Sequence, residues 1–416
     1  MKFYFPDSQD LVSPTYDFLH DEYLPTRVRQ RDDLYAHELL TKPAYDGILV
    51  SKAIVDGSVS GAGKYSMSQR NRLYRLGVRS FFRLPDDVAT LGDCGAFNYV
   101  NEPIPPYSVD QVLDFYEECE FDAGVSVDHV ILGYQRPGLV NEPKDEWAER
   151  RIISLRYAEK FFAAVDDRKS SVEPVGAAQG WDPRSYADSV SQLQKMGYKR
   201  IALGGMVPLK TVDILECLQE IDAIRHRDTE LHLLGITRLE SIGSFEDLGV
   251  SSFDSTSAFR QSFMDDRDNY HTRSTTYTAI RVPQVDANVT LKRAILAGRV
   301  SQRDALTAER NCLAALRKFD QGECSITDAL DEVLGYEKII GVKKGYRDAY
   351  QRTLEDAPWK SCDCGLCAEH GIEIMIFRGT ERNKRRGFHN LSVLAAKMDA
   401  LHTAPPPATK KEFVHG

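Results

Sequence analysis

The stretch that decides the fold is EPVGAAQGWDPRSYADSVSQLQKMGYKRIALGG, residues 173–205. Its two ends, 173–179 and 199–205, are short apolar runs that predict β-strands, and residues 183–197 between them have the pattern of a helix. A helix between two such strands indicates a parallel pair joined by a crossover connection. The strands are almost continuously apolar, as expected where helices cover both faces of a sheet.

The same alternation continues on both sides of this stretch. Further predicted strands are DGILVS (46–51), VRSFFRL (78–84), DHVILG (128–133), ELHLLGI (230–236) and VSSFDS (250–255). Further predicted helices are 108–120, 147–165 and 209–227. Repeated strand–helix units of this kind predict an α/β protein with a parallel sheet.

Residues capable of chemistry follow several of these strands, namely Asp93, Gln179, Gly204, Gly205 and Asp254. In a (β/α)8 TIM barrel the active site is built at the carboxyl ends of the strands, so this placement favours a barrel over a doubly wound sheet. The expected fold is therefore a TIM barrel with a zinc-binding subdomain near the C-terminus. The predicted divisions are an N-terminal extension (1–44), the barrel (45–285), a helical and zinc-binding region (286–388), a final barrel-packing helix (389–402) and a disordered tail (403–416).

Composition restricts the class of protein. The 416 residues are 42% hydrophobic and 28% charged, which is typical of a soluble globular chain. No stretch approaches the roughly 18 apolar residues of a membrane span, and the start lacks the pattern of a signal peptide, so a cytoplasmic location is expected. The net charge of −9 argues against nucleic acid, but the basic runs 337–352 and 378–389 flank the cysteine cluster and predict a phosphate-binding patch.

Three of the eight cysteines form a cluster, SCDCGLC, at residues 361–367. Cys362, Cys364 and Cys367 offer three thiolates from one turn, and a closed tetrahedral zinc site needs one more ligand. His389 is the expected fourth ligand, and His370 is the less favoured alternative. A redox centre would require an exposed C-x-x-C after a strand, and this cluster does not have that setting. The other cysteines are scattered singly, as reduced core residues are.

Two carboxylates stand at predicted strand ends, each followed by small residues: Asp93 in GDCGAFNYV and Asp254 in SSFDSTSAF. Two such groups in a barrel mouth can act as nucleophile and as acid/base on a glycosidic carbon. The alternative is that each is a helix N-cap or a solvated loop residue.

Six motifs occur in a fixed order along the chain: Asp93-Cys94-Gly95-Ala96-Phe97, Gln179-Gly180, Ala202-Leu203-Gly204-Gly205, Phe253-Asp254-Ser255, the cysteine triad, and His389-Asn390-Leu391. The ordered set resembles the tRNA-guanine transglycosylase family over roughly residues 45–402. Each motif is weak alone, and the combination with H-N-L after the zinc triad is specific.

The resemblance implies a role for each matching residue. Asp254 matches the nucleophile that attacks C1′ of the sugar and expels guanine, and Asp93 matches the general acid/base. Asp128 matches the carboxylate that reads the Watson–Crick edge of the base, although nearby Asp122 competes for that alignment. Gln179 and the backbone at Gly204 and Gly205 match groups that hydrogen-bond the base. The implied cofactor is structural zinc.

Departures from the family pattern point to one branch. Cys94 and Ala96 stand where the tRNA enzymes have Ser and Gly, Trp181 replaces the second glycine of a Gly pair, and the segment 286–350 is expanded. DCGAFNYV and FDSTSAF resemble more closely the DNA-modifying branch, which exchanges guanine in DNA for 7-cyano-7-deazaguanine (preQ0), usually beside restriction-type partners. The expected partners are DNA, the free 7-deazaguanine base and a second copy of the chain. The alternatives are a tRNA-guanine transglycosylase, or a non-catalytic partner subunit of one, which would have lost an active-site carboxylate.

Overall fold

The structure is a computed structural model that describes residues 1–7, 9–57, 61, 63–136, 144–342 and 344–403. Of the predicted disordered tail, Thr403 is the last residue of a helix, and residues 404–416 lie outside the described residues. In the described part of the chain, no helix is long and apolar enough to span a membrane.

Eight parallel strands close into a barrel in the order in which they occur along the chain. They are β1 (Lys2–Pro6), β2 (Gly47–Ser51), β3 (Ala89–Asp93), β4 (Ala123–Val125), β5 (Glu173–Ala178), β6 (Arg200–Leu203), β7 (Glu230–Leu233) and β8 (Val250–Asp254). β1 pairs with β8 and closes the barrel, with Tyr4 opposite Asp254. The predicted TIM barrel is thereby confirmed. Side chains such as Leu91, Val125 and Val175 fill its interior.

Helices surround the strands and cover their outer faces. They are α1 (Arg29–Asp32), α2 (Ala36–Leu39), α3 (Lys52–Asp56), α4 (Met67–Phe82), α5 (Val109–Glu118), α6 (Asp145–Arg168), α7 (Pro183–Met196), α8 (Thr211–Asp222), α9 (Ile242–Asp247) and α10 (Ser257–Met264). Local signals fix the bounds of α7. Asp182 caps its first turn by accepting a hydrogen bond from the Ser185 amide at 2.7 Å, and Gly197 ends it with a φ of 109°.

A helical region follows the barrel. Its helices are α11 (Val289–Leu296), α12 (Gln302–Asp320), α13 (Ile326–Ile339), α14 (Arg347–Asp356), α15 (Leu366–His370) and α16 (Gly379–Thr403). Its short strands are β9 (Tyr270–His271), β10 (Thr276–Tyr277), β11 (Ile280–Arg281) and β12 (Ile376–Phe377). The final helix, α16, begins ten residues before the predicted start at 389 and packs against α10, where Gly387 leaves room for the Phe259 ring.

The barrel begins inside the segment 1–44 that the sequence predicts to be an extension. β1 is only five residues long, and about 40 residues without a regular strand–helix repeat separate it from β2. The periodic pattern therefore does not reveal it. What identifies it as a barrel strand is its hydrogen bonding to β2 on one side and β8 on the other.

Two predicted strands are wrong. Residues 78–82 of the first, VRSFFRL, lie in α4, because Val78, Phe81 and Phe82 have helical i, i+3, i+4 spacing and are all buried. The second, 128–133, is an irregular segment that follows β4 and is buried from Asp128 to Ile131. The Asp128 side chain and the Ile131 amide bond to Cys94 and Gln179 in neighbouring loops rather than to a ladder, and these bonds build part of the cavity described below.

Candidate active site

A cavity of about 280 Å³ opens at the carboxyl ends of the barrel strands. The structure brings all the predicted catalytic and substrate-binding residues to its wall: Asp93, Asp128, Gln179, Gly204, Gly205 and Asp254. They come from five separate strands or from the loops that follow them. Because parallel strands in a barrel all end at the same rim, residues far apart in sequence meet there.

Asp254 is the last residue of β8 and is 7% exposed. Its Oδ1 accepts a hydrogen bond from the Gly235 amide at 3.0 Å, and its distance to His232 Nε2 is 3.2 Å. Gly235 has a φ of +74°, a left-handed conformation that favours glycine and that turns this amide toward the carboxylate. The arrangement holds a buried carboxylate at the cavity wall, and among the described residues no lysine or arginine pairs with it.

Asp93 is the last residue of β3 and lies beside Ser51, its register partner on β2. Its Oδ2 accepts hydrogen bonds from Ser51 Oγ at 2.7 Å and from the Gly95 amide at 3.0 Å. Burial raises the pKa of the Asp93 carboxyl, and the nearby negative charge of Asp254 raises it further. A carboxyl whose pKa is raised in this way is suited to take up and release a proton.

Asp128 lies in the loop after β4, and its side chain is buried, with 2% of the residue exposed. Its Oδ1 accepts a hydrogen bond from Cys94 Sγ at 3.1 Å, and its Oδ2 accepts one from Gln179 Nε2 at 2.6 Å. Burial raises the pKa of Asp128 to about 6, an effect that the charge of Asp93 reinforces and that these two hydrogen bonds oppose. Asp122, the alternative that the sequence left open, is bonded to Arg79 and to Thr90 and is absent from the residues lining the cavity.

Gly204 and Gly205 follow β6 and allow two chain segments to approach closely. A Cβ on Gly204 would overlap the amide of Gln179, and a Cβ on Gly205 would overlap the carbonyl of Ile131. Gly205 also has a φ of +74°. Gln179 Oε1 accepts a hydrogen bond from the Ile131 amide at 3.0 Å, and Gln179 Nε2 donates one to Asp128. The absence of side chains at the two glycines leaves room for Gln179 to make both bonds. The glycine pair therefore shapes the cavity wall.

Sequence reasoning missed two residues of this site. Phe97 lines the cavity and is 51% exposed, so its ring offers a stacking surface to a planar ligand. The sequence feature that could have identified Phe97 is its place in the DCGAFNYV motif, four residues after Asp93. His232 lies behind Asp254 and was one of the residues in a predicted strand. The sequence feature that could have identified His232 is that it is the one polar side chain inside the apolar run LHLL.

Three thiols and one imidazole converge outside the barrel. The ligand atoms of Cys362, Cys364, Cys367 and His389 all lie within 4.8 Å of one another, and this group could hold a metal ion. His389 Nε2 donates a hydrogen bond to the His271 carbonyl at 2.8 Å, which leaves Nδ1 directed at the sulfurs. His370 instead accepts a hydrogen bond from Arg385 at 3.1 Å. The structure therefore places His389, and not His370, with the cysteines.

The prediction of a phosphate-binding patch at 378–389 is wrong. Arg382, Arg385 and Arg386 are each at most 1% exposed, because α16 buries them against the segment after β1 and the barrel. Arg382 pairs with Asp21 and with Glu373, and such ion pairs leave no guanidinium for a phosphate. In the other run, 337–352, Lys344, Arg347 and Arg352 are exposed, and each has an acidic group within 4.0 Å.

A different group of exposed cations lies close together along the chain, from α11 to the first turn of α12. It consists of Lys292, Arg293, Arg299 and Arg303, which are all exposed. Within the described residues none of the four side chains has an ion-pair partner, and residues 287–303 contain no acidic residue. We call these four residues the α11 basic surface. Unpaired cations grouped in this way favour contact with a polyanion.

Comparison with known proteins gives one informative match. No family model matches the chain. A DNA-guanine transglycosylase of Salmonella montevideo is 48% identical over 400 residues, which cover 95% of this chain and 95% of that protein. Identity at this level over nearly the whole of both chains means a shared fold and a shared family. The chain therefore belongs to the tRNA-guanine transglycosylase family, in its DNA-modifying branch, and is an enzyme of the pentosyltransferase class.

Proposed function

We propose that this protein exchanges guanine in DNA for the free base preQ0 through a covalent aspartyl-glycosyl intermediate. The observation that carries the proposal is the meeting of Asp93, Asp128 and Asp254 around one cavity at the barrel mouth. DNA is the proposed polymer because the relative from Salmonella montevideo carries the name DNA-guanine transglycosylase.

The two steps use Asp254 and Asp93 in turn. Asp254 attacks C1′ of the deoxyribose as the bond from C1′ to guanine N9 breaks, and Asp93 gives its proton to the departing base. The incoming deazaguanine then loses its N9 proton to Asp93, and its nitrogen attacks C1′ and releases the Asp254 carboxylate. Asp93 ends protonated, as it began, so the cycle needs no external acid or base. The raised pKa of Asp93 supports this role.

One pocket has to accept both bases. Guanine and preQ0 share the pyrimidine edge with the N1–H and N2–H donors, and the acceptor-only carboxylate of Asp128 suits both. Gln179 holds that carboxylate from the other side, and Phe97 offers its ring to the base plane. The target deoxyguanosine has to leave the DNA stack to reach this depth, as in other enzymes that act on a base.

Two alternatives predict different results. A tRNA-guanine transglycosylase would use the same residues on another polymer. A non-catalytic subunit would lack an active-site carboxylate, and the presence of both Asp93 and Asp254 in the cavity argues against it.

The first test separates the polymers and the nucleophile. We expect purified protein to incorporate labelled preQ0 into duplex DNA and not into tRNA. Asp254→Ala should reduce incorporation at least about 1,000-fold, because no other nucleophile replaces the carboxylate. Asp247→Ala, which removes an exposed carboxylate on α9, is the matched control and should leave the rate unchanged. Label in tRNA alone, or activity in Asp254→Ala, would contradict the proposal.

The second test concerns pH. Asp128 has to be ionised to accept hydrogen bonds from the base, and its pKa is about 6. Protonation below that pH removes the acceptor, so kcat/KM for preQ0 should fall about tenfold for each pH unit below 6. Initial rates of incorporation between pH 4.5 and 8 measure this decline. A flat profile from pH 5 to pH 7 would mean that the ionised form of Asp128 does not read the base.

We further propose that the Cys362, Cys364, Cys367 and His389 group binds zinc. Zn–S bonds of about 2.3 Å and Zn–N bonds of about 2.0 Å in a tetrahedron separate S and N by about 3.5 Å. The three Sγ atoms lie 3.4, 3.5 and 3.4 Å from His389 Nδ1, which fits this geometry. The ion would neutralise the thiolates and tie the turn before α15 to α16.

The third test measures the metal. We expect one zinc per chain by mass spectrometry of the purified protein, and Cys364→Ser should lose it because three ligands no longer close the site. Cys324→Ser, at a cysteine outside the cluster, should retain full zinc. The melting temperature should fall with zinc loss. A zinc-free protein with an unchanged melting temperature would contradict a structural ion.

The fourth test concerns the α11 basic surface, which we propose contacts DNA phosphates. Replacing Lys292 and Arg293 by alanine should weaken DNA binding, and the slope of log Kd against log salt should fall by about 0.9 for each phosphate that the variant no longer neutralises. Lys195→Ala with Lys199→Ala removes two exposed cations, one in the last turn of α7 and one directly before β6, and should change neither quantity. Fluorescence anisotropy over a salt series provides both measurements. An unchanged slope in the α11 variant would place the DNA elsewhere.

A further inference from the structure

His232 lies immediately behind the proposed nucleophile. It is the third residue of β7, is 1% exposed, and is paired in register with Ser252 of β8. The register between the two strands shifts between Leu231 and His232, and such an irregularity changes the direction in which a side chain points. His232 Nδ1 lies 2.9 Å from Ser252 Oγ, and its Nε2 lies 3.2 Å from Asp254 Oδ1.

The identity of these groups fixes the direction of the hydrogen bond to Asp254. An ionised Asp254 only accepts hydrogen bonds, so His232 Nε2 carries the proton and donates it. In the neutral imidazole Nδ1 is then an acceptor, and the Ser252 hydroxyl donates to it. The Tyr4 ring packs edge-on against the imidazole at 5.7 Å and limits its rotation. In its neutral form the ring therefore has one tautomer, with the proton on Nε2, and the packing holds it in one orientation.

The serine–histidine–aspartate sequence of contacts also occurs in hydrolases, but the accessible groups differ here. Ser252 is 2% exposed, and neither Ser252 nor His232 is among the described residues that line the cavity. Asp254 lines it. The end of the array that faces the substrate is thus the carboxylate, and the serine is the buried end.

We propose that His232 is a positioning residue for the Asp254 nucleophile, an inference that rests on the proposed function. Together with the Gly235 amide it occupies Oδ1, so that Oδ2 is the oxygen that forms and breaks the bond to C1′. His232 keeps its proton throughout. The Oδ2–C1′ bond forms as the C1′–N9 bond breaks, and it breaks when the new base attacks, returning its electron pair to the carboxylate.

The hydrogen bond from His232 acts mainly on the second step. It is stronger to the charged carboxylate than to the neutral ester of the intermediate, because charge-assisted hydrogen bonds are the stronger class. It therefore makes Asp254 a better leaving group. Loss of this donor should leave more of the enzyme as the covalent intermediate while the incoming base is bound as well as before.

The kinetic test compares three variants. His232→Leu should lower kcat about 10- to 100-fold, leave the KM for preQ0 within twofold, and raise the fraction of protein–DNA adduct seen on denaturing gels during turnover. His232→Gln, whose side-chain amide can still donate to Oδ1, should recover most of the rate. Ser252→Ala should lie between wild type and His232→Leu. A His232→Leu enzyme with wild-type kcat and adduct level would overturn the proposal, as would a His232→Gln enzyme no better than His232→Leu.

A second measurement does not depend on the polymer substrate. We expect 15N NMR of histidine-labelled free protein to show His232, assigned by its loss in His232→Gln, as the Nε2–H tautomer. Asp254→Asn should shift that signal. A tautomer with its proton on Nδ1 and none on Nε2 would refute the positioning role even in an active enzyme. If exchange fails on both DNA and tRNA while the Nε2–H tautomer and its response to Asp254→Asn are present, the proposed function fails and the hydrogen-bond array stands.

Discussion

The pairing of the first strand with the last is the interaction on which the rest of the structure depends. Phe3 lies opposite Phe253, and their rings stack with centroids 5.3 Å apart. This contact joins two segments about 250 residues apart in sequence and converts an open sheet into a closed barrel. Closure brings the ends of all eight strands to one rim, and Asp254 can share a cavity with Asp93 only because of it.

The second constraint is electrostatic, since the cavity concentrates three carboxyl groups. Each is held by donors other than lysine or arginine: a serine hydroxyl and an amide at Asp93, a thiol and a carboxamide at Asp128, an amide and an imidazole at Asp254. Within the described residues, no lysine or arginine lines the cavity. A cation beside a carboxylate would lower its pKa and its nucleophilicity. These donors orient the groups and leave Asp93 able to carry a proton.

The arginines of α16 show that the role of a residue depends on its position in the fold. The basic run RNKRRG, beside the cysteine cluster, led the sequence to predict a surface for phosphates, but its three arginines lie on the buried face of a helix. Arg378 and Arg382 pair with Asp21 in the segment that follows β1. These pairs fasten the chain leaving the first strand to the helical region, so the charges hold the barrel and that region together. The four cations of the α11 basic surface, in contrast, are exposed and have no ion-pair partner among the described residues.

Local patterns in the sequence determined the barrel class, the strands β2 and β5 to β8, and the candidate residues around the cavity. Strand–helix alternation and motif order are local properties, so they are readable without the fold. They could not reveal β1 or the helical nature of 78–82. The choices between Asp128 and Asp122 and between His389 and His370 also depended on contacts between distant segments.

His232 also shows the difference between what the sequence determines and what the tertiary structure decides. The sequence displays one histidine in an apolar strand, and a buried histidine of that kind is usually a satisfied core residue. Only the tertiary structure decides that its ring lies between Ser252 and Asp254, because the register of β7 and β8 sets which side chains meet. The sequence by itself therefore determined the fold class and the chemical groups available. Barrel closure and strand register decided which of those groups act together.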